Sequence, residues 1–355
     1  MNPLCTTLFT LPLVAAFAAP ATAQQLLAID SSRAISVIDA TTGARQVVAT
    51  ASSNAGTTAG LAYDLATQTL YTTSTGNDSL YTLDVRTGTA TLVGAYGNSA
   101  LVMHGLEVDA STGTLYGVSS SDNGLYTIDK TTGVATLVGT TGLTSFTNLC
   151  YDLATGTMYC TNSGTDSFYS IDVATGVVTL IGALNGPTNP NGLAYHPTTG
   201  QIHLVCNSTD RLYSIDRATG QATPIGPAVS SNLLGLAYAT NVGDVTRQAH
   251  ACGPLSIQTI GLPVLGSNVA TTVGGGVGLG FVGYSLNLTA QQFCSCTVGH
   301  DWAIALFGSA HTFALPTSPA FVGVSVGVQA ADFGGTGGCA NPQLSFSDTM
   351  VITIG

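Results

Sequence analysis

Glu107 is the only glutamate among 355 residues, and it stands three positions after His104 in Met103-His104-Gly105-Leu106-Glu107. A carboxylate close to an imidazole is raw material for acid–base or metal-assisted hydrolysis. The equivalent positions of the repeat set out below hold Ala62, Cys150, Ala194 and Ala237, so Glu107 interrupts a row of mostly small residues. Two readings of it stand side by side. It is a carboxylate facing a central channel and holding a ligand or cation, or it is a partly hydrated substitution with no chemistry. Other catalytic signals are few. The sequence has no HExxH and no phosphate loop. His300-Asp301-Trp302 is contiguous, whereas a triad needs residues that the fold brings together.

Carboxylates are otherwise plentiful, 18 acidic residues against 7 basic for a net charge of -11, but most carry the spacing of turns. Asp39, Asp84, Asp129, Asp172 and Asp216 each open an Asp-x-x-Thr-Gly string, and Asp64, Asp109 and Asp152 open similar ones, with Gln68 replacing the first of those glycines. A carboxylate in this place accepts from the backbone N–H two residues on, and glycine takes the positive-φ position. Asp78, Asp122, Asp166 and Asp210 hold one further equivalent place, with Arg33 where a fifth would fall. Repeated turn capping is the favoured reading of these four. A cation ring is the other, and Arg33 counts against its symmetry.

The elements that position these residues are strands. Gly60-Leu61-Ala62-Tyr63-Asp64 recurs at residues 105, 148, 192 and 235, at offsets of 45, 43, 44 and 43. Each unit adds a run such as Leu70-Tyr71, a third such as Leu80-Tyr81-Thr82-Leu83, and a fourth such as Thr91-Leu92-Val93-Gly94. Short alternating runs bounded by turn residues are the strand pattern. Four strands per 40–50 residues is the spacing of a propeller blade. Leu26 to Val48 supply only a second, third and fourth strand, and Gly235 to Ala239 only a first. The expected fold is therefore all-β, a five-bladed β-propeller over residues 24–242. Its closing blade joins both ends and leaves no sheet edge open at the closure.

The unit Gly-Leu-Ala-Tyr-Asp…Leu-Tyr…Leu-Tyr-x-Ile-Asp-x-x-Thr-Gly resembles that of the secreted bacterial β-propellers of the YVTN and NHL kind, over roughly residues 25–242. The resemblance implies the propeller fold, in a family of many binding and structural proteins and few enzymes. It carries no activity by itself.

On a propeller the first-to-second and third-to-fourth turns share one face, and the connections between blades share the other. Those connections are rich in Asn, Ser, Thr, Gly and Pro. Neutral loops on a rigid frame suit a glycan or a peptide better than a phosphate. The candidate ligand contacts are Tyr96, Asn98, His104, Glu107, Phe146, Asn148, Asn189 and Asn191, each weighed against plain turn chemistry or packing.

After Tyr238 the period stops. Six strand-like runs between Leu255 and Ile354, several separated by glycine-rich turns, suggest a small β-sandwich over residues 243–355. Its Cys252-Gly253-Pro254 and closing Val351-Ile352-Thr353-Ile354-Gly355 look similar to C-terminal modules of secreted planctomycete-type proteins. That resemblance implies extracellular or cell-surface placement. Cys252, Cys294, Cys296 and Cys339 allow two disulfides of open connectivity. In the propeller, folding the Ala154-Thr155-Gly156 turn about residue 155 sets Cys150 opposite Cys160, as a cross-strand disulfide or as two buried thiols.

Residues 1–23 read as a signal peptide, an apolar stretch from Leu8 to Ala19 followed by Ala21-Thr22-Ala23. The protein is expected to be secreted or held at the cell surface, with no membrane span after cleavage. Only 7% of residues are charged, and the charge is acidic, which excludes a nucleic-acid partner. No cofactor is implied. The reading that emerges is an exported, non-enzymatic binding or scaffold protein for a glycan, peptide or protein. The alternative is a channel-centred metal-dependent hydrolase or lactonase using Glu107.

Overall fold

A computed structural model of the chain describes residues 24–145, 147–229, 232–240, 242–276, 279–334, 339–340 and 343–355. The expected signal peptide, the candidate Phe146 and the pairing of Cys339 lie outside the described residues.

The chain opens with β1 (Gln24–Asp30), β2 (Ala34–Ile38) and β3 (Arg45–Thr50). The next unit is β4 (Thr58–Asp64), β5 (Thr69–Ser74), β6 (Ser79–Asp84) and β7 (Thr89–Ala95). It is followed by β8 (Met103–Asp109), β9 (Thr114–Ser119), β10 (Gly124–Ile128) and β11 (Ala135–Thr140). Then come β12 (Thr147–Asp152), β13 (Thr157–Asn162), β14 (Ser167–Ile171) and β15 (Val178–Ala183). The last full unit is β16 (Pro190–Tyr195), β17 (Ile202–Cys206), β18 (Arg211–Ile215) and β19 (Ala222–Ile225), and β20 (Leu233–Thr240) closes the repeat region.

Four units each form a four-stranded antiparallel sheet, and a fifth sheet has the order β20-β1-β2-β3. In that sheet Leu26 pairs with Tyr238 and Ala28 with Leu236, so strands from the two ends of the region share one ladder. First strands touch in sequence: β4 against β8, β8 against β12, β12 against β16, β16 against β20, and β20 against β4. Burial falls outward. Every residue of β12 and β16 is buried, whereas β11 and β15 leave Leu137 and Leu180 more than half exposed. That gradient explains why first strands read as continuous apolar runs and fourth strands alternate.

The hairpins follow the sequence expectation. Gly43, Gly88, Gly133, Gly176 and Gly220 donate their N–H groups to the carbonyls of Asp39, Asp84, Asp129, Asp172 and Asp216, at 2.7–2.8 Å. The aspartate side chains accept from the N–H two residues on, as Asp129 does from Thr131 at 2.8 Å. In the fourth full unit His196 takes the aspartate's place, its Nδ1 accepting from Thr198 N at 3.2 Å. A second set of glycines, in or just after the fourth strands, meets the hairpin turn of the neighbouring sheet. A Cβ at Gly94 would collide with the Thr132 carbonyl, and equivalent collisions pair Gly139 with Thr175, Gly182 with Thr219 and Gly226 with Thr42.

The other aspartate set behaves differently. The positive-φ position of the second-to-third turn is Arg33, Asp78, Asn123, Asp166 and Asp210, so in the second unit it falls one residue beyond Asp122. What repeats there is the backbone carbonyl. Asp78, Asn123, Asp166 and Asp210 accept from Tyr96, Thr141, Leu184 and Val229, pinning each connection to the turn beneath it. Asp and Asn suit the place because they tolerate left-handed backbone.

The cross-strand disulfide is corrected. Asp152 pairs with Thr157, which makes the loop the even-numbered 153–156 and sets Cys150 opposite Tyr159 and Leu149 opposite Cys160. One residue of register turns a side chain to the other face. Cys150 and Cys160 are therefore on opposite sides of the sheet, each a free buried thiol.

Beyond the repeat lie β21 (Asp244–Gln248), β22 (Ser256–Ile260), β23 (Asn268–Gly274), β24 (Leu279–Ser285), β25 (Leu288–Phe293) and β26 (Cys296–His300). They continue as β27 (Ile304–Phe307), β28 (Ala310–Ala314), β29 (Ser325–Phe333), β30 (Cys339–Ala340) and β31 (Gln343–Thr353). One sheet runs β21-β31-β29-β24-β27, with β30 beside β31, and a second runs β22-β23-β28. Ile257 and Val269 of the smaller sheet share a buried core with Val282, Val328, Met350 and Ile352 of the larger. Cys252 and Cys296 form a disulfide, and Cys294 is disulfide-bonded as well. Among the described residues no helix is long and apolar enough to cross a membrane.

Candidate functional site

A cavity of about 40 Å³ lies between the first strands and takes lining residues from all five of them. Leu65, Ala110 and Leu153, which directly follow three of those strands, and Pro197, two residues past a fourth, also line it, so it sits at the hairpin end. Tyr63, Tyr151, Tyr195 and Tyr238 wall it, and Glu107 is the one carboxylate among its lining residues. The tyrosine hydroxyls reach other partners. Tyr63 donates to the Thr240 carbonyl at 3.0 Å, and Tyr238 lies 3.0 Å from His203 Nδ1.

Glu107 accepts from the Val108 N–H at 2.8 Å. Burial raises its pKa to about 8, with backbone bonds from Val108 and Tyr151 pulling the other way. At neutral pH the group is mostly a carboxylic acid, able to donate a proton or a hydrogen bond. Cys150 stands near it, its thiol held well above the usual range by burial first and by Glu107 second. His104 is not part of this group. It lies at the irregular register step between Met103 and Gly105, and its Nδ1 is 3.1 Å from Ser120 Oγ. Among the described residues no three His, Cys, Asp or Glu side chains converge as a metal site.

The remaining candidates are dispersed along the connection end. Tyr96 is 1% exposed and donates to the Ser79 carbonyl at 2.9 Å, which makes it core packing and not a surface contact. Asn98 is exposed and caps its own loop through Ala100 N. Asn191 is buried and donates to the Asn189 carbonyl at 3.0 Å. Asn148 is 4% exposed, and among the described residues its Nδ2 has no hydrogen-bond partner. Its register partner Thr161 is also buried with an unpaired hydroxyl.

Three residues outside the sequence candidates form a polar chain at this end that joins two sheets. Asn207 Nδ2 donates to Asn232 Oδ1 at 2.7 Å, and Asn232 Nδ2 donates to Ser31 Oγ at 2.7 Å. The chain links β17, the connection before β20 and the turn after β1. Nothing in sequence marks these among so many Asn and Ser residues, because only the meeting of the two ends of the repeat region aligns them. In the second region, Gly323-Val324-Ser325-Val326-Gly327 has the letter spacing of a nucleophile elbow. Ser325 instead opens β29 with its Oγ 2.8 Å from Thr353 Oγ1, and lacks the strand–turn–helix an elbow needs.

A comparison with curated proteins gives no match. Among solved structures, a chain of a nidogen/laminin complex is 15% identical at a TM-score of 0.44, covering 61% of this chain and 98% of that one. An auxiliary nutrient binding protein from Bacteroides thetaiotaomicron is 12% identical at 0.43, covering 60% of each chain. A virginiamycin B lyase from Staphylococcus aureus is 12% identical at 0.40, covering 60% of this chain and 73% of that one. A family model described as "Repeat of unknown function (DUF6923)" matches residues 107–233. That span runs from β8 to the start of β20, and together with the five four-stranded sheets it makes the chain a β-propeller-type repeat protein.

Proposed function

We propose that the chain is an exported, non-enzymatic binding or scaffold protein. Residues 24–242 are read as a five-bladed propeller, and 243–355 as a small β-sandwich for association with a cell surface or partner. The contacts from β4 round to β20 and back to β4 support the ring. The core shared by two sheets supports the sandwich.

The connection end is the binding face of this reading, for a neutral glycan or peptide. The observation that carries it is the Asn207–Asn232–Ser31 chain, preorganised amides and a hydroxyl spanning two sheets without a charge. Donors and acceptors held in place by each other cost little entropy on binding. A glycan and peptide array with the full chain should yield a ligand, and Asn232→Ala should weaken it while the fold persists. Equal binding by the variant would sink the assignment.

A second reading is favoured by one observation: Glu107, a carboxylic acid near neutral pH, lines the cavity between the first strands. This is the channel-centred hydrolase or lactonase. Turnover in a lactone and glycoside panel that disappears in Glu107→Ala would favour it over binding alone.

A further inference from the structure

The opposite, hairpin end carries a much larger opening. A groove of about 610 Å³ runs between the β4–β5 turn, the β6–β7 hairpin and the exit of β20. This volume is within the range of small-molecule sites, which favour junctions between domains. The groove is at such a junction: Val242, Leu262 and Val264 of the following region pack into the same core as Tyr63 and Leu83.

Its lining mixes polar and apolar side chains and includes no cation. Thr82, Thr89 and Thr91 supply hydroxyls, Asp84 a carboxylate and Gln68 an amide. Arg86, beside it in sequence, faces Asp84 at 3.8 Å. A phosphate finds no counter-charge among these residues, whereas sugar hydroxyls find both donors and acceptors.

Gln68 is the anomaly that points to use. Eight of the nine Asp- or His-led hairpins place glycine at the left-handed position, including Gly113, Gly156 and Gly200, and the ninth places Gln68 there at φ 55°. A non-glycine residue pays strain at such a position, and strain of this kind concentrates at ligand sites. The one hairpin that departs from glycine lines the groove, and its Gln68 side chain is exposed there. The apolar floor includes Leu70 and Leu83, which suits the less polar faces of sugar rings.

We propose that this groove is a second ligand site, for a neutral oligosaccharide, with Gln68 as its principal polar contact. It is separate from the connection face proposed above. The test titrates neutral hexasaccharides (cello-, malto-, xylo-, manno- and chito-series) into the full chain by calorimetry, beside Gln68→Gly, Thr91→Val and Asn232→Ala. One hexasaccharide should bind, about tenfold more weakly to Gln68→Gly, the loss expected of one or two polar contacts. Gln68→Gly should keep or raise the urea midpoint, since glycine relieves the backbone, and Asn232→Ala should bind like the parent. No binding by any hexasaccharide, or equal binding by Gln68→Gly, overturns the groove. Loss in Asn232→Ala with retention in Gln68→Gly also overturns it, while leaving the connection-face reading intact.

Discussion

The ammonium of Lys130 lies 2.7 Å from Asp64 Oδ2, tying the third-to-fourth turn of one sheet to the first-to-second turn of the sheet before it. Arg217 and Asp152 repeat the relation two units on. Both carboxylates are almost wholly buried, at 2% and 0% side-chain exposure. Two of the 7 basic residues in the chain are thus spent on seams between sheets.

Removing one partner of such a pair leaves the other charge buried. Lys130→Met should destabilise the repeat region by about 1–3 kcal/mol, and an exposed control such as Arg86→Met by much less. Burial raises the Asp64 pKa, but bonds from Lys130, Thr67 and Ala66 outweigh it and leave it lowered. A lowered folded pKa gives stability that is present above the unfolded carboxylate range and lost as pH falls through the folded value. The urea midpoint of the parent should therefore drop on acidification below about pH 4, and that of Lys130→Met should drop less. Parallel curves would contradict the assignment.

Glu107 has the opposite sign. Its folded pKa, raised to about 8 by burial, lies above the unfolded value, so its contribution is full below the unfolded pKa and lost as pH rises toward 8. Tyr63, Tyr195, Tyr238 and the Cys150 thiol beside it are all shifted upward by burial, away from this window. Glu107→Gln should flatten the stability profile between pH 5 and 8. At pH 8 it should equal or exceed the parent, by up to about 1–3 kcal/mol. Unchanged pH dependence in the variant would show that the group is solvated.

Asn148 stands where the other first strands carry Gly60, Gly105, Gly192 and Gly235. A Cβ at Gly105 would approach the Thr147 carbonyl to 2.5 Å, so Gly105→Ala should cost more than about 2 kcal/mol. Asn148→Gly should cost less than about 1 kcal/mol, because it removes an amide whose Nδ2 has no partner among the described residues. Chemical denaturation of both variants gives the comparison, and a reversed order would mean that Asn148 has a partner in solution.

Much of this architecture is legible because duplication repeats the same turn chemistry. Asp-x-x-Thr-Gly fixes each hairpin, and the partial units at the two ends fix the shared sheet. Register is harder to read, because it depends on loop length to a single residue. That is why Cys150 was expected opposite Cys160 and stands opposite Tyr159. The site is less legible still. Tyr96 looks like a loop aromatic, yet it folds inward against Ser79. Asn207, Asn232 and Ser31 gain meaning only when β20 meets β1. Gln68 was visible as a missing glycine, but the groove beside it was not, since β1, β4 to β7 and β20 all contribute to it.

Thiol chemistry offers the most direct check on register. Cys150, Cys160 and Cys206 are free and buried, while Cys252 and Cys296 are joined across 44 residues with their Cα atoms 5.2 Å apart. In denaturant without reductant, an alkylating reagent should label the first three and spare Cys252 and Cys296, read by peptide mass spectrometry. Replacing both bonded cysteines by serine should destabilise the second region by about 2–4 kcal/mol, since the open loop regains unfolded-state freedom. The repeat region should lose less, because most of the core it shares with Val242, Leu262 and Val264 comes from its own strands. A Cys150–Cys160 peptide in the unreduced digest would require an odd-numbered loop between β12 and β13, and with it a different set of side chains facing the cavity that holds Glu107.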